Sequence, residues 1–183
     1  RRPLSRHADV PALRTARRWL VLGGSGSGKS TLSRRLGQLL DLPVVHLDRH
    51  FWNPGWVETP NPEFDRKVTA LVAPERWVID GNYSRTLHLR LPRAEAVVLL
   101  DRNPLLCLWR VLGRARSSDP RPDIAEDCPE RLPDRQFVWW ILTYRWRSRP
   151  KVLRRVAEHP ALPLVVLRSG REVERFLSEL AGP

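Results

Sequence analysis

The sequence predicts an α/β fold in which helices cover both faces of a five-stranded parallel sheet. Short apolar runs alternate along the chain with segments of helical periodicity, which is the pattern of strand–helix–strand units. At 183 residues the chain is long enough to bury one core and short for two. A glycine-rich segment follows the first apolar run directly, as at the first strand-to-helix turn of many such folds. We therefore expect a single domain over residues 19–183.

The individual elements follow from these patterns in chain order. The apolar runs predict strands at residues 19–22, 44–47, 77–79, 96–100 and 164–167. The second helix has a clear start, because Asn61 is a favoured N-cap and Pro62 a favoured first helical residue. The helical patterns lie at residues 29–40, 62–73, 104–116, 135–147, 150–158 and 171–180.

Two segments fall outside this alternation. Residues 1–18 are basic and almost free of acidic side chains, which predicts a flexible N-terminal segment. Residues 117–134 contain four prolines and no clear periodicity. Because a loop of this length inside a compact domain is usually functional, we expect a lid over a binding site at about residues 117–134.

Composition limits the classes of partner and compartment. The formal net charge of +12 predicts anionic partners, and nucleotides, nucleic acid or a membrane surface would all satisfy it. No apolar run approaches the roughly 20 residues of a membrane span, so we expect a cytoplasmic protein without a membrane partner. The two cysteines, Cys107 and Cys128, have neither the number nor the spacing of a disulfide framework or a zinc site.

The most specific motif is G-x-x-x-x-G-K-S at residues 23–30, directly after the first apolar run. In this phosphate-binding loop, or P-loop, glycines let backbone N–H groups surround an anion at the N-terminus of a helix. Lys29 is expected to reach the β- and γ-phosphates of ATP, and the Ser30 hydroxyl to bind Mg²⁺. The predicted nucleotide-binding residues are Gly23, Gly24, Ser25, Gly26, Ser27, Gly28, Lys29, Ser30 and Thr31.

A magnesium nucleotide site also needs a carboxylate, and two strand ends supply one. Asp101 follows the more hydrophobic run, whereas Asp80 leads into the small and polar residues Gly81 and Asn82 and then Arg85. A site that needs close backbone approach and positive charge favours Asp80 as the metal residue. The strand pattern alone does not decide the role of Asp101. Asp101 could cap the end of its strand, or it could support the metal residue without binding the metal itself.

The loop after the second predicted strand is a candidate acceptor site. Asp48 ends that strand, and ligands of open α/β sheets bind at the carboxyl ends of the strands. Its carboxylate could orient or deprotonate a substrate hydroxyl, or hold Mg²⁺. His46 alternates with apolar residues and is predicted to be a packed strand histidine. The aromatic residues of the loop either stack on a base or sugar or cover the core: Phe51, Trp52 and Trp56.

Arginines near the predicted lid are candidates for stabilising transferred phosphoryl charge. Arg110 and Arg114 lie four residues apart and share a helix face. We favour Arg114 as the catalytic arginine. The sequence does not decide which other arginines also act, and the candidates are Arg110, Arg116, Arg121 and Arg131.

The segment 139–147 interleaves tryptophan with arginine, as nucleic-acid-binding surfaces do. Helical spacing places Trp139, Leu142, Thr143 and Trp146 along one face, so a core-packing stripe is the favoured interpretation.

The chain resembles the adenylate-kinase-like P-loop NTPases often labelled DNA topology modulation proteins. The resemblance spans residues 19–178 and is carried by VLGGSGSGKSTLSRRLG, LPVVHLDRHFWNPGW, WVIDGNYSRTLHLRLPRAEAVVLLD, RPDIAEDCPERL and RSRPKVL. It implies a P-loop NTPase fold with parallel strand order 2-3-1-4-5, a mobile lid and a nucleotide or nucleoside as substrate. Adenylate kinases carry D-G-F-P-R at the third strand; Asp80 matches its magnesium-binding aspartate, while Arg85 comes one position later than its phosphate-contacting arginine.

Together these features predict a Mg²⁺- and ATP-dependent small-molecule kinase whose acceptor is most simply a nucleotide or nucleoside. Its catalytic residues would be Lys29, Asp48, Arg85 and Arg114, and its metal residues Ser30 and Asp80. The alternative is a nucleic-acid-associated ATPase or a regulatory NTP-binding protein, which the net charge and the Trp/Arg segment favour. A nucleotide-binding protein without chemistry also fits the sequence, and the oligomeric state is left open.

Overall fold

The computed structural model describes residues 9–116, 124, 128 and 132–182. Five parallel strands form the central sheet: β1 (Arg18–Gly23), β2 (Val44–His46), β5 (Trp77–Asp80), β6 (Ala96–Leu100) and β7 (Leu164–Leu167). Their order is β2-β5-β1-β6-β7, which confirms the order 2-3-1-4-5 that the resemblance implied. A small antiparallel pair, β3 (Trp52–Asn53) and β4 (Val57–Glu58), forms a hairpin beyond β2.

Helices lie on both faces of the sheet, because the strands are apolar on both faces. In β1, Leu20 and Leu22 belong to one core cluster, while Trp19 and Val21 belong to the other. The described helices are α1 (Lys29–Leu40), α2 (Leu47–Phe51), α3 (Asn61–Val72), α4 (Leu87–Arg90), α5 (Pro104–Arg114), α6 (Arg135–Arg147), α7 (Arg149–Ala157) and α8 (Gly170–Ala181), with 3₁₀ turns at Pro11–Thr15, Ser84–Thr86 and Leu91–Arg93.

Each core cluster joins the sheet to a different set of helices. Phe64 and Val68 of α3 and Val152 of α7 pack on the Leu20 face. Leu36 of α1 and Phe176 of α8 pack on the Trp19 face, where the Trp19 and Phe176 rings meet edge to face. The sheet is thus buried between two helical layers, and its carboxyl edge is where the strand-end loops gather.

The segment before β1 is packed where the structure describes it. Leu13 is buried in the Trp19-side cluster, and Arg14 donates from Nε to the Leu180 carbonyl oxygen at 3.0 Å. The basic composition of residues 1–18 predicted a flexible segment. Apolar side chains within residues 9–17 instead pack in the same cluster as those of α8. Residues 1–8 lie outside the described part of the chain.

Most of the expected lid, residues 117–134, also lies outside the described residues. Within it, Ile124 is buried, and the Cys128 thiol lies 3.3 Å from the Asn53 carbonyl oxygen of the β3–β4 hairpin. Over the described ranges, no helix has both the length and the apolar character that crossing a bilayer requires.

Candidate active site

The phosphate loop lies at the carboxyl end of β1, between the ends of β5 and β6. Gly26 and Gly28 have φ of +74° and +97°, in the left-handed region that glycine adopts without steric cost. A Cβ on Gly26 would lie 2.3 Å from the Cys107 carbonyl oxygen, so the loop touches the backbone of α5 there. Only glycine fits this contact, which gives Gly26, at a variable position of the motif, a packing role.

The start of α1 is built to meet an anion. Gly28 is the N-cap and provides no side-chain hydrogen bond, so the first N–H groups of the helix are not capped by it. Lys29 folds back over the loop, and its ammonium donates to the Gly24 carbonyl oxygen at 3.0 Å. The helix N-terminus and the ammonium therefore bring positive charge to the same loop.

Cations from α5 and its preceding loop lie beside the phosphate loop. Burial raises the pKa of the Cys107 thiol, and Arg110, Lys29, Arg102 and Arg114 each act to lower it, so these four cations lie around Cys107. An Arg110 Nη atom comes within 3.8 Å of the position a Cβ on Gly28 would take. Arg114 is thus among the cations near the loop, and Arg110 comes close to the loop backbone.

Asp80 lies deep in the sheet edge beside the phosphate loop. It ends β5 in register with Val21 of β1, and its carboxylate is almost fully buried. His46 Nδ1 lies 2.7 Å from Asp80 Oδ2, and since a carboxylate accepts, this nitrogen carries the proton. The packed strand histidine that the sequence predicts therefore also orients the predicted metal carboxylate, a role that residue pattern did not indicate.

Asp101 occupies the corresponding position on the other side of β1. Its buried carboxylate forms ion pairs with Arg149 at 3.0 Å, Arg168 at 3.7 Å and Arg145 at 4.0 Å. The closest pair is a charge contact without hydrogen-bond alignment. Three arginines around Asp101 favour Asp80 over Asp101 as the metal residue, and they make Asp101 an anchor for cations at this edge.

Asp48 lies in α2, at the far side of the site from α5. The Tyr83 hydroxyl donates to Asp48 Oδ1 at 2.6 Å. Burial, and after it the Asp48 charge, raise the pKa of Tyr83, so the phenol remains a donor at neutral pH. The Asp48 carboxylate is thereby oriented by a neutral hydroxyl in the loop after β5.

Arg85 does not take the position that the sequence predicted. Its guanidinium forms two hydrogen bonds with the Asp65 carboxylate of α3, at 2.7 and 2.8 Å, and the two side chains are 44% and 35% exposed. The 3₁₀ turn Ser84–Thr86 brings Arg85 to α3 rather than to Asp48. The expectation that Arg85 faces the acceptor is therefore corrected to a surface ion pair.

Arg90 of α4 is the important arginine of this region, and sequence reasoning missed it. Its side chain is fully buried and donates to the carbonyl oxygens of Gly81 at 2.9 Å, Asn82 at 3.3 Å and Tyr83 at 2.8 Å. Burial lowers its pKa to about 9, so the guanidinium stays charged at pH 7. Arg90 thus fixes the loop that carries Tyr83.

Tyr144 of α6 is a second residue that was missed as part of the site. A Cβ on Gly24 would lie 3.2 Å from its ring, and its hydroxyl lies 3.3 Å from Asn82 Oδ1. The core-packing stripe predicted for this helix is wrong: Trp139 and Trp146 are exposed, whereas Ile141 and Tyr144 are buried. Helical spacing identified a face but could not tell which face meets the rest of the protein.

The predicted site residues thus fall into two groups at one sheet edge. The loop residues 23–31, Lys29 and Arg114 lie on the α5 side, and Asp48 with Tyr83 lies on the β2 side. The loop 81–83 joins them through its contacts with Tyr144 and Asp48. Arg121 and Arg131 lie outside the described residues, and Arg116 is exposed just after α5.

No protein-family model matches the chain, and no curated protein matches it. Solved structures do match. A shikimate kinase from Acinetobacter baumannii in complex with shikimate has a TM-score of 0.57 and 18% identity, covering 91% of this chain and 92% of that chain. Shikimate kinases from Bacteroides thetaiotaomicron and Aquifex aeolicus have TM-scores of 0.54 and 0.51 at 17% identity, covering 89% and 90% of this chain and 95% and 96% of theirs.

At these identities the likeness concerns the fold, and it extends over nearly the whole chain. These three structures are shikimate kinases, so they give no support to the DNA topology modulation label. The chain has the P-loop kinase fold of the shikimate kinase structures.

Proposed function

We propose that the chain is a Mg²⁺-dependent kinase that transfers the γ-phosphoryl group of ATP to a hydroxyl group of a small molecule. The observation that carries the proposal is the pairing of two halves at one sheet edge. A cation-rich phosphate loop occupies one half, and the oriented carboxylate of Asp48 occupies the other. A phosphate loop alone would support only nucleotide binding.

On the donor side, the residues supply positive charge where phosphates would bind. Backbone N–H groups of the loop and of the first turn of α1 would contact the phosphate oxygens. Lys29 would move from the Gly24 carbonyl to the β- and γ-phosphates, with Arg110 and Arg114 adding charge from α5. Such preorganised charge stabilises the negative charge that the transferred phosphoryl group carries in the transition state.

The residues also fit a magnesium ion. Ser30 lies in the first turn of α1, and the Asp80 carboxylate, oriented by His46, lies on the neighbouring strand end. Mg²⁺ prefers oxygen ligands and keeps several of its water molecules. The protein therefore needs to supply only one hydroxyl and one carboxylate to bind it together with the phosphates. When bound, the ion would neutralise charge on the β- and γ-phosphates. We propose Ser30 and Asp80 as the residues that hold it.

On the acceptor side, Asp48 would act on the attacking hydroxyl. Its ionised carboxylate accepts hydrogen bonds and does not donate them, and the Tyr83 hydroxyl donates to Oδ1 at 2.6 Å. An acceptor hydroxyl donating to Asp48 would lose its proton to the carboxylate as its oxygen bonds to the γ-phosphorus, while the bond from that phosphorus to the β,γ-bridging oxygen breaks and ADP leaves. The acceptor candidates are nucleosides and nucleotides, as the resemblance implies, and shikimate, which one matched structure contains.

The test is phosphoryl transfer from γ-labelled ATP to a panel of nucleosides, nucleotides, shikimate and small hydroxyl compounds. We expect transfer to at least one of them, and Lys29→Ala should reduce kcat/KM by about 10²–10³-fold. Lys151→Ala, which removes an exposed lysine of α7, is the matched control and should leave the rate unchanged. Absence of transfer above the Lys29→Ala background for every compound would refute the proposal.

A second candidate function, a nucleic-acid-associated ATPase, has one observation in its favour. Trp139 and Trp146 are 49% and 71% exposed on α6, and the Arg147 guanidinium carbon lies 4.3 Å from the Trp139 ring centroid. Exposed aromatics with arginine can stack on bases. Fluorescence anisotropy with single-stranded DNA decides it: affinity should fall linearly with salt on logarithmic axes and weaken in Trp139→Ala. Lack of binding at low salt removes this candidate.

A further inference from the structure

The amino edge of the sheet contains a cavity that the proposed reaction does not use. Its volume is about 400 Å³, which lies within the roughly 300–1,000 Å³ of cavities that hold small organic ligands. Three neighbouring strands bring residues to it from just before their first residue: Arg17 before β1, Arg76 before β5 and Leu42 before β2. The end of the Pro11–Thr15 turn and the end of α1 complete the wall.

This cavity is separate from the phosphate loop. Helix α1 begins at Lys29 beside that loop and ends at Leu40 in the cavity wall. At a rise of 1.5 Å per residue, ~16 Å of helix lie between the two places. A ligand in the cavity would therefore contact neither the nucleotide phosphates nor Asp48.

Arg17 brings an available guanidinium to the cavity. Its backbone N–H donates to Glu95 Oε2 at 2.6 Å, which holds the main chain in place. Within residues 9–116 and 132–182, its exposed side chain has no hydrogen bond and no ion pair. All the N–H donors of this guanidinium can therefore turn to a ligand.

Two more arginines are held in position at the cavity and keep donors to spare. Arg14 donates from Nε to the Leu180 carbonyl oxygen at 3.0 Å and from Nη2 to that of Glu179 at 2.9 Å. Arg76 donates from Nη2 to the carbonyl and carboxylate oxygens of Asp41. In the part of the chain that the structure describes, neither Nη1 atom has an acceptor. Side chains that are already fixed lose little entropy when they bind a ligand.

The carboxylates beside the cavity do not cancel this charge. Arg18 holds Glu75 and Glu95, and Arg76 holds Asp41. Among the described residues, the guanidinium groups of Arg14 and Arg17 therefore have no carboxylate partner. Residues 1–8, which precede this edge in the chain, contain three arginines and no acidic side chain, so they can only add positive charge.

The other part of the wall is apolar. Asp41 ends α1 with a left-handed φ of 52°, and the Leu42 N–H then donates to the Gly37 carbonyl oxygen at 2.9 Å. This turn directs Leu42 into the core, where Leu40 and Ala16 pack against the same cluster. An inorganic phosphate ion would fill only a small part of such a cavity and would leave its apolar wall without a contact.

We propose that this cavity binds an organic anion in which an apolar ring carries a phosphate or carboxylate group. The ring lies against Leu40 and Leu42, and the anionic group accepts hydrogen bonds from Arg17 together with Arg14 and Arg76. Guanidinium groups match both anions because two parallel N–H donors meet two oxygens. The site does not depend on the proposed kinase function.

Equilibrium dialysis of the wild-type protein at low salt tests the ligand class. The probes are 2-naphthyl phosphate, 2-naphthoate, 2-naphthol and inorganic phosphate. At least one naphthyl anion should have a Kd about 10-fold or more below those of 2-naphthol and inorganic phosphate, because it alone uses both parts of the wall. The stronger of the two anions identifies the acidic group. Equal binding of 2-naphthol, or no binding of either anion, overturns the proposal.

Three variants test the place. Arg17→Gln should raise the Kd of the better naphthyl anion by about 10-fold or more, because it removes the available guanidinium. Arg154→Gln is the matched control: Arg154 is an exposed arginine of α7, on the face of the sheet opposite to Leu42, and the variant should keep the wild-type Kd. Lys29→Ala should also keep it.

Each variant has a result that contradicts the site. A wild-type Kd in Arg17→Gln overturns the assignment to the amino edge, and lost binding in Lys29→Ala would place the anion at the phosphate loop instead. Melting curves check that the variants fold. Affinity of Arg17→Gln for a fluorescent ATP analogue should equal that of the wild type, since Arg17 lies at the opposite edge of the sheet from the phosphate loop.

Discussion

Arg90 shows how one side chain can determine the geometry of a whole loop. Its three acceptors are the carbonyl oxygens of three consecutive residues, so the guanidinium holds the backbone of residues 81–83 in place. That backbone presents Asn82 to Tyr144 and Tyr83 to Asp48. The Asp48 carboxylate and the phosphate loop are therefore both linked to an arginine that touches neither of them.

Replacing Arg90 by methionine should destabilise the protein by about 3–5 kcal/mol, because it leaves three carbonyl oxygens without their donor. Urea denaturation measures the change in the free energy of unfolding. Arg93→Met is the matched control. Arg93 also donates to carbonyl oxygens, those of Val72 and Ala73, but its side chain is 40% exposed, so its loss should cost less than ~1 kcal/mol. Equal losses in the two variants would contradict the role given to Arg90.

His50 gives the stability a pH dependence of known sign. Burial lowers its pKa, and the charges of Lys67 and Arg49 lower it further. The unfolded chain therefore binds a proton at His50 at higher pH than the folded chain does, so this contribution to stability is lost as pH falls below about 6.5.

The measurement is denaturation at pH 7.5 and 5.5 of the wild type and of His50→Gln. We expect the wild type to lose more free energy of unfolding between the two pH values than the variant does, because only the wild type carries this histidine. An equal loss in both proteins would show that His50 titrates alike in the folded and unfolded states.

At the scale of elements, the phosphate loop packs directly against the backbone of α5 at Gly26. Gly26 combines a left-handed φ with a carbonyl oxygen 2.3 Å from where its Cβ would be. Both the loop conformation and the distance between loop and helix depend on that missing side chain. Changing either one moves Arg110 and Arg114 relative to Lys29.

Gly26→Ala should therefore weaken binding of a fluorescent ATP analogue by at least about 10-fold, since strained backbone and a displaced α5 each cost of order 1–3 kcal/mol. Gly113→Ala is the matched control within α5 itself. A Cβ on residue 113 would have no atom within 4 Å, and alanine favours a helix more than glycine does. The affinity of Gly113→Ala for the ATP analogue should therefore equal that of the wild type, and its stability should rise slightly. Unchanged affinity in Gly26→Ala would mean that the contact with α5 is dispensable.

Elements also show what sequence could and could not predict. The five strands and the phosphate loop were predicted because apolar runs and glycine spacing are local signals, and their placement is confirmed. Helix α6 was misjudged because its periodicity is equally visible on the exposed Trp139 face and the buried Tyr144 face. Arg90 was missed for a similar reason, since only tertiary packing decides that Arg90 is buried while Arg85 stays at the surface.

At the scale of the whole molecule, a bound nucleotide should stabilise the fold, since the loop lies between the two central strand ends. When a Mg²⁺–ATP analogue that binds only the folded state is present at 100 times its Kd, the free energy of unfolding increases by ~2.7 kcal/mol. For a chain of this size, that increase corresponds to a rise in Tm of about 5–10 °C. Lys151→Ala should show the same rise, whereas Lys29→Ala should show a much smaller one. A Lys29→Ala rise equal to that of the wild type would place the nucleotide elsewhere.

The contact between Arg14 and the end of α8 brings the first and last described segments of the chain together. The Pro11–Thr15 turn and the last turn of α8 meet at the amino edge of the sheet, where Arg14 binds the carbonyl oxygens of Glu179 and Leu180. The phosphate loop and Asp48 lie at the opposite edge. A short peptide linker could therefore join residue 182 to residue 9, and new chain ends could be opened in the exposed turn before β5, giving a circular permutant with the same site.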